Sequence, residues 1–161
     1  MINYYIGVDP GLDGAFAVLD KTGQLIQVYD MPTVEVIVNK KAKRKVAPAA
    51  IADELKIYTE GYCAAVVENV SARPGQGVTS MFGFGRSFGV VEGVLAGMGI
   101  PYETVPPATW VRRMRVAPGK GGSRQRAMEV WPGFAGEFKR VKDDGRADAA
   151  LIALYAFKEL C

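Results

Sequence analysis

The alternation of apolar and polar positions predicts strands in the first two thirds of the chain. Five short apolar runs, bounded by glycine, proline or charged residues, predict strands at residues 3–9, 15–20, 24–31, 62–70 and 100–106. Short turns join the first three runs, which is typical of an antiparallel meander. The fourth run is apolar throughout, which favours a central position in the sheet.

Helical patterns and two irregular segments account for most of the remaining sequence. Helices are predicted at residues 47–61, 86–99, 107–116, 123–133 and 143–159. A basic loop is expected at 38–46, and a glycine-rich connection at 71–89 runs into the second helix. A meander followed by a strand–helix–strand crossover forms a mixed sheet covered by helices. The sequence therefore predicts an α/β fold with a mixed five-stranded sheet in a single domain spanning residues 1–161.

Composition restricts the chemistry that this chain can perform. The 161 residues are 49% hydrophobic and include two cysteines, Cys63 and Cys161, but no histidine. Two separated cysteines form neither a disulfide framework nor a zinc motif. This cysteine usage favours a reducing, cytoplasmic environment. Without histidine, Ser-His-Asp triads and histidine-based metal sites are excluded. The apolar runs are too short or too charged to predict a membrane span.

Four acidic residues come from three separated elements that can meet at one place. Asp9 ends the first strand, and Glu68 lies near the end of the fourth. A right-handed crossover makes these strands parallel neighbours, so both carboxylates fall at the same edge of the sheet. Asp144 and Asp148 are four residues apart and share one face of the last helix. If that face docks on the strand edge, all four carboxylates converge.

A cluster of carboxylates is unstable unless protons or cations neutralise it. Oxygen ligands without histidine or cysteine favour Mg²⁺ or Mn²⁺, and two such ions are suited to phosphodiester hydrolysis. Each acid also has a structural interpretation. Asp9 precedes Pro-Gly and is a common turn opener, and Asp144 and Asp148 complement a helix dipole. Glu68 is harder to explain in this way, because burying an unpaired carboxylate is expensive.

Several segments, in order along nearly the whole chain, resemble the RuvC family of Holliday-junction resolvases, especially its phage-encoded members. These segments are GVDPG, VVENV, GQGVTSMFGFGRSFGVVEG and DDGRADAALIALY. The resemblance implies an RNase H-like fold, a homodimer, and Mg²⁺-dependent nicking of opposed strands in a four-way DNA junction. It also implies a cytoplasmic protein, in a bacterial cell or a phage-infected host.

The resemblance assigns roles to individual residues. Asp9, Glu68 and Asp148 match the catalytic, metal-binding acids, and Asp144 takes the fourth position although Gly145 stands where bacterial members have that acid. Bacterial members also carry an aromatic residue three positions after the glutamate, thought to insert at the junction. Ser71 occupies that position here, so a junction wedge must come from Phe82 or Phe84.

Basic residues that could contact DNA phosphates are concentrated in three regions. The predicted contacts are Lys40, Lys41, Lys43, Arg44, Lys45, Arg73, Arg86, Arg112, Lys120 and Arg124. A charge run such as 40–45 is also typical of a solvated loop. The glycine-rich segment around Arg73 and Arg86 is equally suited to close packing between a strand and a helix.

Three other functions are compatible with parts of the pattern. An actin-like or sugar-kinase ATPase has a similar first loop but needs a second lobe, so no nucleotide cofactor is expected. A non-catalytic DNA-binding dimer would not require acids at three separated positions. An RNase H-like nuclease acting on forks, flaps or RNA–DNA hybrids would use the same acids, because surface and dimer geometry select the substrate.

Overall fold

A computed structural model describes residues 1–69, 71–72 and 74–160. A five-stranded mixed sheet of order β3-β2-β1-β6-β7 forms its centre, which confirms the predicted fold class. Numbered in chain order, the strands of the described residues are β1 (Tyr4–Asp9), β2 (Ala15–Asp20), β3 (Leu25–Asp30), β4 (Thr33–Val38), β5 (Lys41–Val46), β6 (Cys63–Glu68) and β7 (Tyr102–Val105). Strands β1 to β3 are antiparallel, whereas β6 pairs in parallel with both β1 and β7.

Helices cover both faces of this sheet. They are α1 (Pro48–Thr59), α2 (Val78–Gly97), α3 (Pro107–Arg113), α4 (Gly122–Val130) and α5 (Asp144–Leu160). Helices α1 and α2 pack with Ile6 and Val8 of β1, and α3, α4 and α5 pack on the face that carries Tyr5. Among the described residues, no helix is both long and apolar enough to cross a membrane.

Strand alternation decides which face of the sheet carries the acids. Successive side chains of a strand point to opposite faces, so Asp9 lies on the same face as Tyr5 and Gly7. The same rule places Glu68 on the face of Val66, which packs in the core cluster of α5. Both strand-end carboxylates therefore face the side of the sheet that α5 covers.

Helix α5 lies unusually close to β1 because small residues line the contact. A Cβ atom added to Gly7 would lie 2.1 Å from the carbonyl oxygen of Ala149 and 2.2 Å from the amide nitrogen of Ala153. No side chain fits at that separation, so glycine is required at position 7. The short distance between the two backbones brings the start of α5 to the end of β1.

The predicted basic loop at 38–46 is wrong, because this segment forms a β-hairpin. Strands β4 and β5 pair in antiparallel register from Thr33↔Val46 to Val38↔Lys41. Asn39 and Lys40 form the turn with φ angles of 52° and 60°, the left-handed conformation that a type I′ hairpin requires. Val34, Val36 and Val38 recur at every second position of β4, as is typical of a strand, but the five cations of the following segment obscured this pattern.

The predicted start of the second helix, at residue 86, is also wrong. Helix α2 begins at Val78, so Phe82, Phe84 and Arg86 all lie on a helix rather than in a connection. Glycine lowers helix propensity by about 1 kcal/mol per residue, but tertiary packing overrides so weak a preference. Here the buried side chains of Ser87, Val91 and Leu95 hold α2 against the sheet.

Candidate active site

Asp9 and Glu68 end neighbouring parallel strands at the same edge of the sheet. The register pairs Val8 with Val67, which places the two acids at the same level. Both side chains are partly buried. The amide of Gly11 donates a hydrogen bond of 3.1 Å to Asp9 Oδ1, so the turn after β1 also fixes this carboxylate. The turn interpretation of Asp9 is therefore compatible with a place in the site.

The start of α5 is packed directly on that turn. A Cβ atom added to Gly145 would lie 2.3 Å from the carbonyl oxygen of Asp13 and 2.9 Å from Cα of Gly14. Position 145 therefore has no room for a side chain, and an acid cannot stand there. Asp144, one residue earlier, projects from the helix with its side chain 54% exposed.

Three salt bridges hold this end of α5 in place. Arg146 is bonded to Asp30 of β3 at 2.7 Å and to Glu137 at 2.5 Å. Arg140 pairs at 2.9 Å with Asp143, whose side chain is almost fully buried. The helix that carries Asp144 and Asp148 is thus fixed both to the sheet and to the segment that precedes it.

All four predicted acids line one open cleft of about 580 Å³. They come from β1, β6 and the first two turns of α5. The side chains of Ser87 and Phe84 on α2 form part of the opposite wall. The expected convergence of Asp9, Glu68, Asp144 and Asp148 is what the fold produces.

The carboxylates interact electrostatically as well as sharing the cleft. The pKa of Asp148 is raised to about 7, chiefly by burial and also by the negative charges of Asp9, Glu68 and Asp144, while a hydrogen bond from Ser123 opposes the shift. Burial also raises the pKa of Asp9, against the opposing effect of the Gly11 amide. Without a bound cation, part of this cluster takes up protons near neutral pH.

Two of the acids have partners that the sequence pattern did not predict. Trp110 of α3 is buried, and its indole Nε1–H donates a hydrogen bond of 2.7 Å to Glu68 Oε2. Arg124 of α4 donates from Nε to Asp144 Oδ1 at 2.6 Å. A buried tryptophan usually finds an acceptor for its N–H, which is the one sequence signal that pointed to such a contact.

The donor set fits Mg²⁺ or Mn²⁺, because it consists of carboxylate oxygens and contains no nitrogen or sulfur ligand. Within the described residues, however, no group of three acidic, histidine or cysteine side chains is arranged closely enough to hold an ion. Asp144 is neutralised by Arg124 instead. Asp9, Glu68 and Asp148 are therefore the acids whose surroundings fit a cation best.

No protein-family model matches the chain, and no curated protein matches its sequence. Solved structures do match. Thermus thermophilus RuvC, determined in complex with a Holliday junction substrate, aligns with a TM-score of 0.56 and 17% identity over 96% of this chain and 93% of its own. A second Thermus thermophilus RuvC structure gives 0.53 and 16%, covering 95% of each chain. The chain has the RuvC fold.

A third similar structure is the yeast mitochondrial Holliday junction resolvase Ydc2. It aligns with a TM-score of 0.45 and 14% identity over 95% of this chain and 77% of that one. That score is too low to bear on the fold. The central sheet is RNase H-like, as the resemblance implied. Asp9 and Glu68 lie at its strand ends beside α5.

The basic hairpin lies next to the acidic cleft of this RuvC fold. Lys43, Arg44 and Lys45 line a groove of about 270 Å³ together with Phe82 and Arg86 of α2. The groove and the acidic cleft have wall residues in common, among them Leu12 and Gly83. Lys40 and Lys41 are exposed at the tip of the same hairpin. The structure thus brings most of the predicted basic contacts to one side of the site.

Arg44 differs from the neighbouring lysines because its guanidinium already has partners. It bonds Asp13 Oδ1 at 2.8 Å and the carbonyl oxygen of Leu12 at 2.7 Å. These bonds fasten the hairpin to the turn that follows β1. In this structure Arg44 therefore positions the hairpin rather than presenting a free cation.

The basic residues between 112 and 126 do not all lie on one surface. Arg124 points to Asp144, Lys120 is exposed in a loop, and Arg112 lies in a different cleft near the other end of α5. Arg73 lies outside the described residues. The predicted DNA-binding set is thus divided between the acidic cleft and a second place.

The two candidate wedge residues are exposed on α2. Phe82 is 74% exposed and lines the groove under the hairpin, and Phe84 is 44% exposed and lines the acidic cleft. A Cβ atom added to Gly11 would lie 3.6 Å from the ring of Phe84. Phe84 is therefore the closer of the two to Asp9.

Proposed function

We propose that this protein is a metal-dependent, structure-selective DNA endonuclease that nicks four-way junctions symmetrically as a homodimer. The observation that carries the proposal is the meeting of Asp9, Glu68 and Asp148, from three separate elements, in one cleft of a RuvC fold. A fold that only bound DNA would gain nothing from buried carboxylates that repel phosphate. The nuclease is proposed as one domain.

Asp9, Glu68 and Asp148 would hold two Mg²⁺ or Mn²⁺ ions, and Asp144 would assist after release from Arg124. Bound at these acids, such ions supply an activated water and stabilise the charge that develops on the phosphate. Asp9 would lie near both other acids, because β1 pairs with the strand that carries Glu68 and packs against the helix that carries Asp148.

The residues around the acids prepare the site for this role. Trp110 holds one oxygen of Glu68, Gly11 holds one oxygen of Asp9, and Ser123 is hydrogen-bonded to Asp148. Each bond restricts the orientation of a carboxylate before a cation arrives. Such supporting contacts reduce the side-chain conformational entropy that is lost when a cation binds.

Substrate recognition is assigned to the hairpin and to α2. The exposed cations of the hairpin lie beside the acidic cleft, where they can contact phosphates on either side of the scissile bond. Phe84, at the cleft itself, is the better candidate for a wedge that unstacks bases at a branch, and Phe82 is the second. A homodimer would supply two such sites for two opposed strands.

A cleavage assay with four substrates tests the proposal. A four-way DNA junction, a fork, a linear duplex and an RNA–DNA hybrid are each incubated with Mg²⁺ or Mn²⁺, using wild type and Asp9→Asn. We expect paired symmetric nicks in the junction with wild type only, and retained junction binding by the variant. Cleavage of the fork or hybrid alone would keep the site and reject the substrate. No cleavage by a folded dimer would favour a DNA-binding protein.

A further inference from the structure

A second cleft, lined by cations, lies at the opposite end of α5 from the acids. It has a volume of about 580 Å³, and its walls are formed by Arg112, Arg113, Arg115, Arg126 and Lys158. Arg112 and Arg113 lie on α3, and Arg115 follows that helix. Arg126 lies on α4 and Lys158 in the last turn of α5. Three helices thus direct positive charge to one concave surface.

Most of this charge is not neutralised within the protein. Among the described residues, Arg112, Arg115 and Lys158 take part in no salt bridge, and all three are exposed. Arg113 pairs with Glu159 at 2.6 Å, and Arg126 pairs with Glu129 at 3.2 Å. Five cations and two acids leave three positive charges at the cleft, as many as the net charge of +3 of the whole chain.

The backbone holds two of these cations in defined positions. Arg126 donates a hydrogen bond of 2.9 Å to the carbonyl oxygen of Met114, which joins α4 to the end of α3. Arg115 has a φ of 58°, a left-handed conformation that is uncommon for residues other than glycine and asparagine. Both Met114 and Trp110 of this segment are buried. The cleft is therefore attached to the core rather than placed on a loose loop.

We propose that this cleft binds backbone phosphates of the nucleic acid at a second point, separate from the acidic cleft. Four of the five cations are arginines, whose planar guanidinium groups bind phosphate oxygens in pairs. Lys158 is ten residues beyond Asp148, which corresponds to about 15 Å along α5. That distance is roughly half of a duplex turn, so one arm of a substrate can reach both clefts. The proposal rests on the nucleic-acid function proposed above.

The test measures how DNA affinity depends on salt in metal-free buffer, by fluorescence anisotropy of a labelled junction and a labelled duplex. The variant is Arg112→Gln with Lys158→Gln, and the control is Lys21→Gln with Lys56→Gln, which removes the same charge from exposed positions elsewhere. Each phosphate contact contributes about 0.9 to the slope of log affinity against log salt. We expect the magnitude of the variant slope to be smaller than that of wild type by about 1.8, and the control slope to equal that of wild type.

An unchanged slope in the variant, with all proteins folded by circular dichroism, would overturn the proposal. So would a variant that loses binding to phosphatidylserine vesicles while its DNA slope equals that of wild type, because the cleft would then serve a membrane surface. The cleavage assay separates this outcome from the nuclease proposal. If wild type cleaves junctions but the variant and wild-type slopes are equal, only the proposal of a second phosphate-binding cleft is rejected. If wild type cleaves nothing but the two slopes differ, only the nuclease proposal is rejected.

Discussion

The indole Nε1–H of Trp110 and the Oε2 atom of Glu68 are 2.7 Å apart, which joins α3 to the end of β6 through one hydrogen bond. Forty-two positions separate these residues in the chain. The bond gives a buried tryptophan its acceptor and holds a proposed metal-binding carboxylate in one orientation. Hydrogen bonds to such ligands commonly affect metal affinity or activity by about 10–100-fold.

Trp110→Phe tests this relationship, because it retains an aromatic ring and removes the donor. We expect cleavage at limiting Mg²⁺ to fall by about 10–100-fold and to recover partly when Mg²⁺ is raised. The matched control is Trp131→Phe, a second buried tryptophan of the same core cluster. Equal losses in the two variants would attribute the effect to packing and not to Glu68.

The burial of acids in the cleft, together with their mutual repulsion, predicts how stability depends on pH. The pKa of Asp148 is raised from 3.8 to about 7. Between these values the folded chain binds more protons than the unfolded chain, so the free energy of unfolding falls as pH rises from about 4 to about 7. Burial of Asp9, whose pKa is also raised, acts in the same direction.

We therefore expect Asp148→Asn to be more thermostable than wild type in EDTA at pH 8. A gain of roughly 1–2 kcal/mol would raise the Tm by about 2–8 °C for a chain of this size. Asp53→Asn, which changes an exposed acid on α1, serves as the control and should leave the pH profile intact. Equal calorimetric Tm values for Asp148→Asn and wild type at pH 8 would contradict the inference that the buried charge of Asp148 destabilises the fold.

Addition of Mg²⁺ should relieve the same repulsion. A ligand that binds only the folded protein stabilises it by about 2.7 kcal/mol at one hundred times its dissociation constant. We expect the Tm of wild type and of Asp53→Asn to rise on titration with Mg²⁺. The Tm of Asp9→Asn and of Asp148→Asn should rise much less. An equal shift in all four proteins would mean that the ion acts elsewhere.

The hairpin cations and Arg44 should give different results when they are changed. Replacing Lys40, Lys41 and Lys43 by Gln is expected to lower the salt slope of junction binding by as much as about 2.7, because exposed cations can release counterions. Arg44→Gln instead removes the bonds to Asp13 and Leu12, so we expect it to lower the thermal stability of the hairpin segment. Hydrogen exchange of β4 and β5 measures the second effect; unchanged protection would contradict it.

Much of the site followed from sequence because local patterns determine where elements end. The apolar runs before Asp9 and Glu68 identified two neighbouring strand ends, and the spacing of Asp144 and Asp148 identified one helix face. The hairpin was missed because its strand alternation continues into a run of lysines, where charge masks the period. The early start of α2 was missed because glycine signals a loop unless packing overrides it.

The sequence by itself determined the five strands of the central sheet, the absence of histidine chemistry and the four acids that could meet. Only the tertiary structure decided how they meet. The close approach at Gly7, the lack of space at Gly145 and the partners Trp110 and Arg124 all depend on contacts between distant segments. The division of the basic residues between two clefts has the same cause. Periodicity and helix or strand ends are local properties, whereas packing distances and ion pairs arise only when separate elements are brought together.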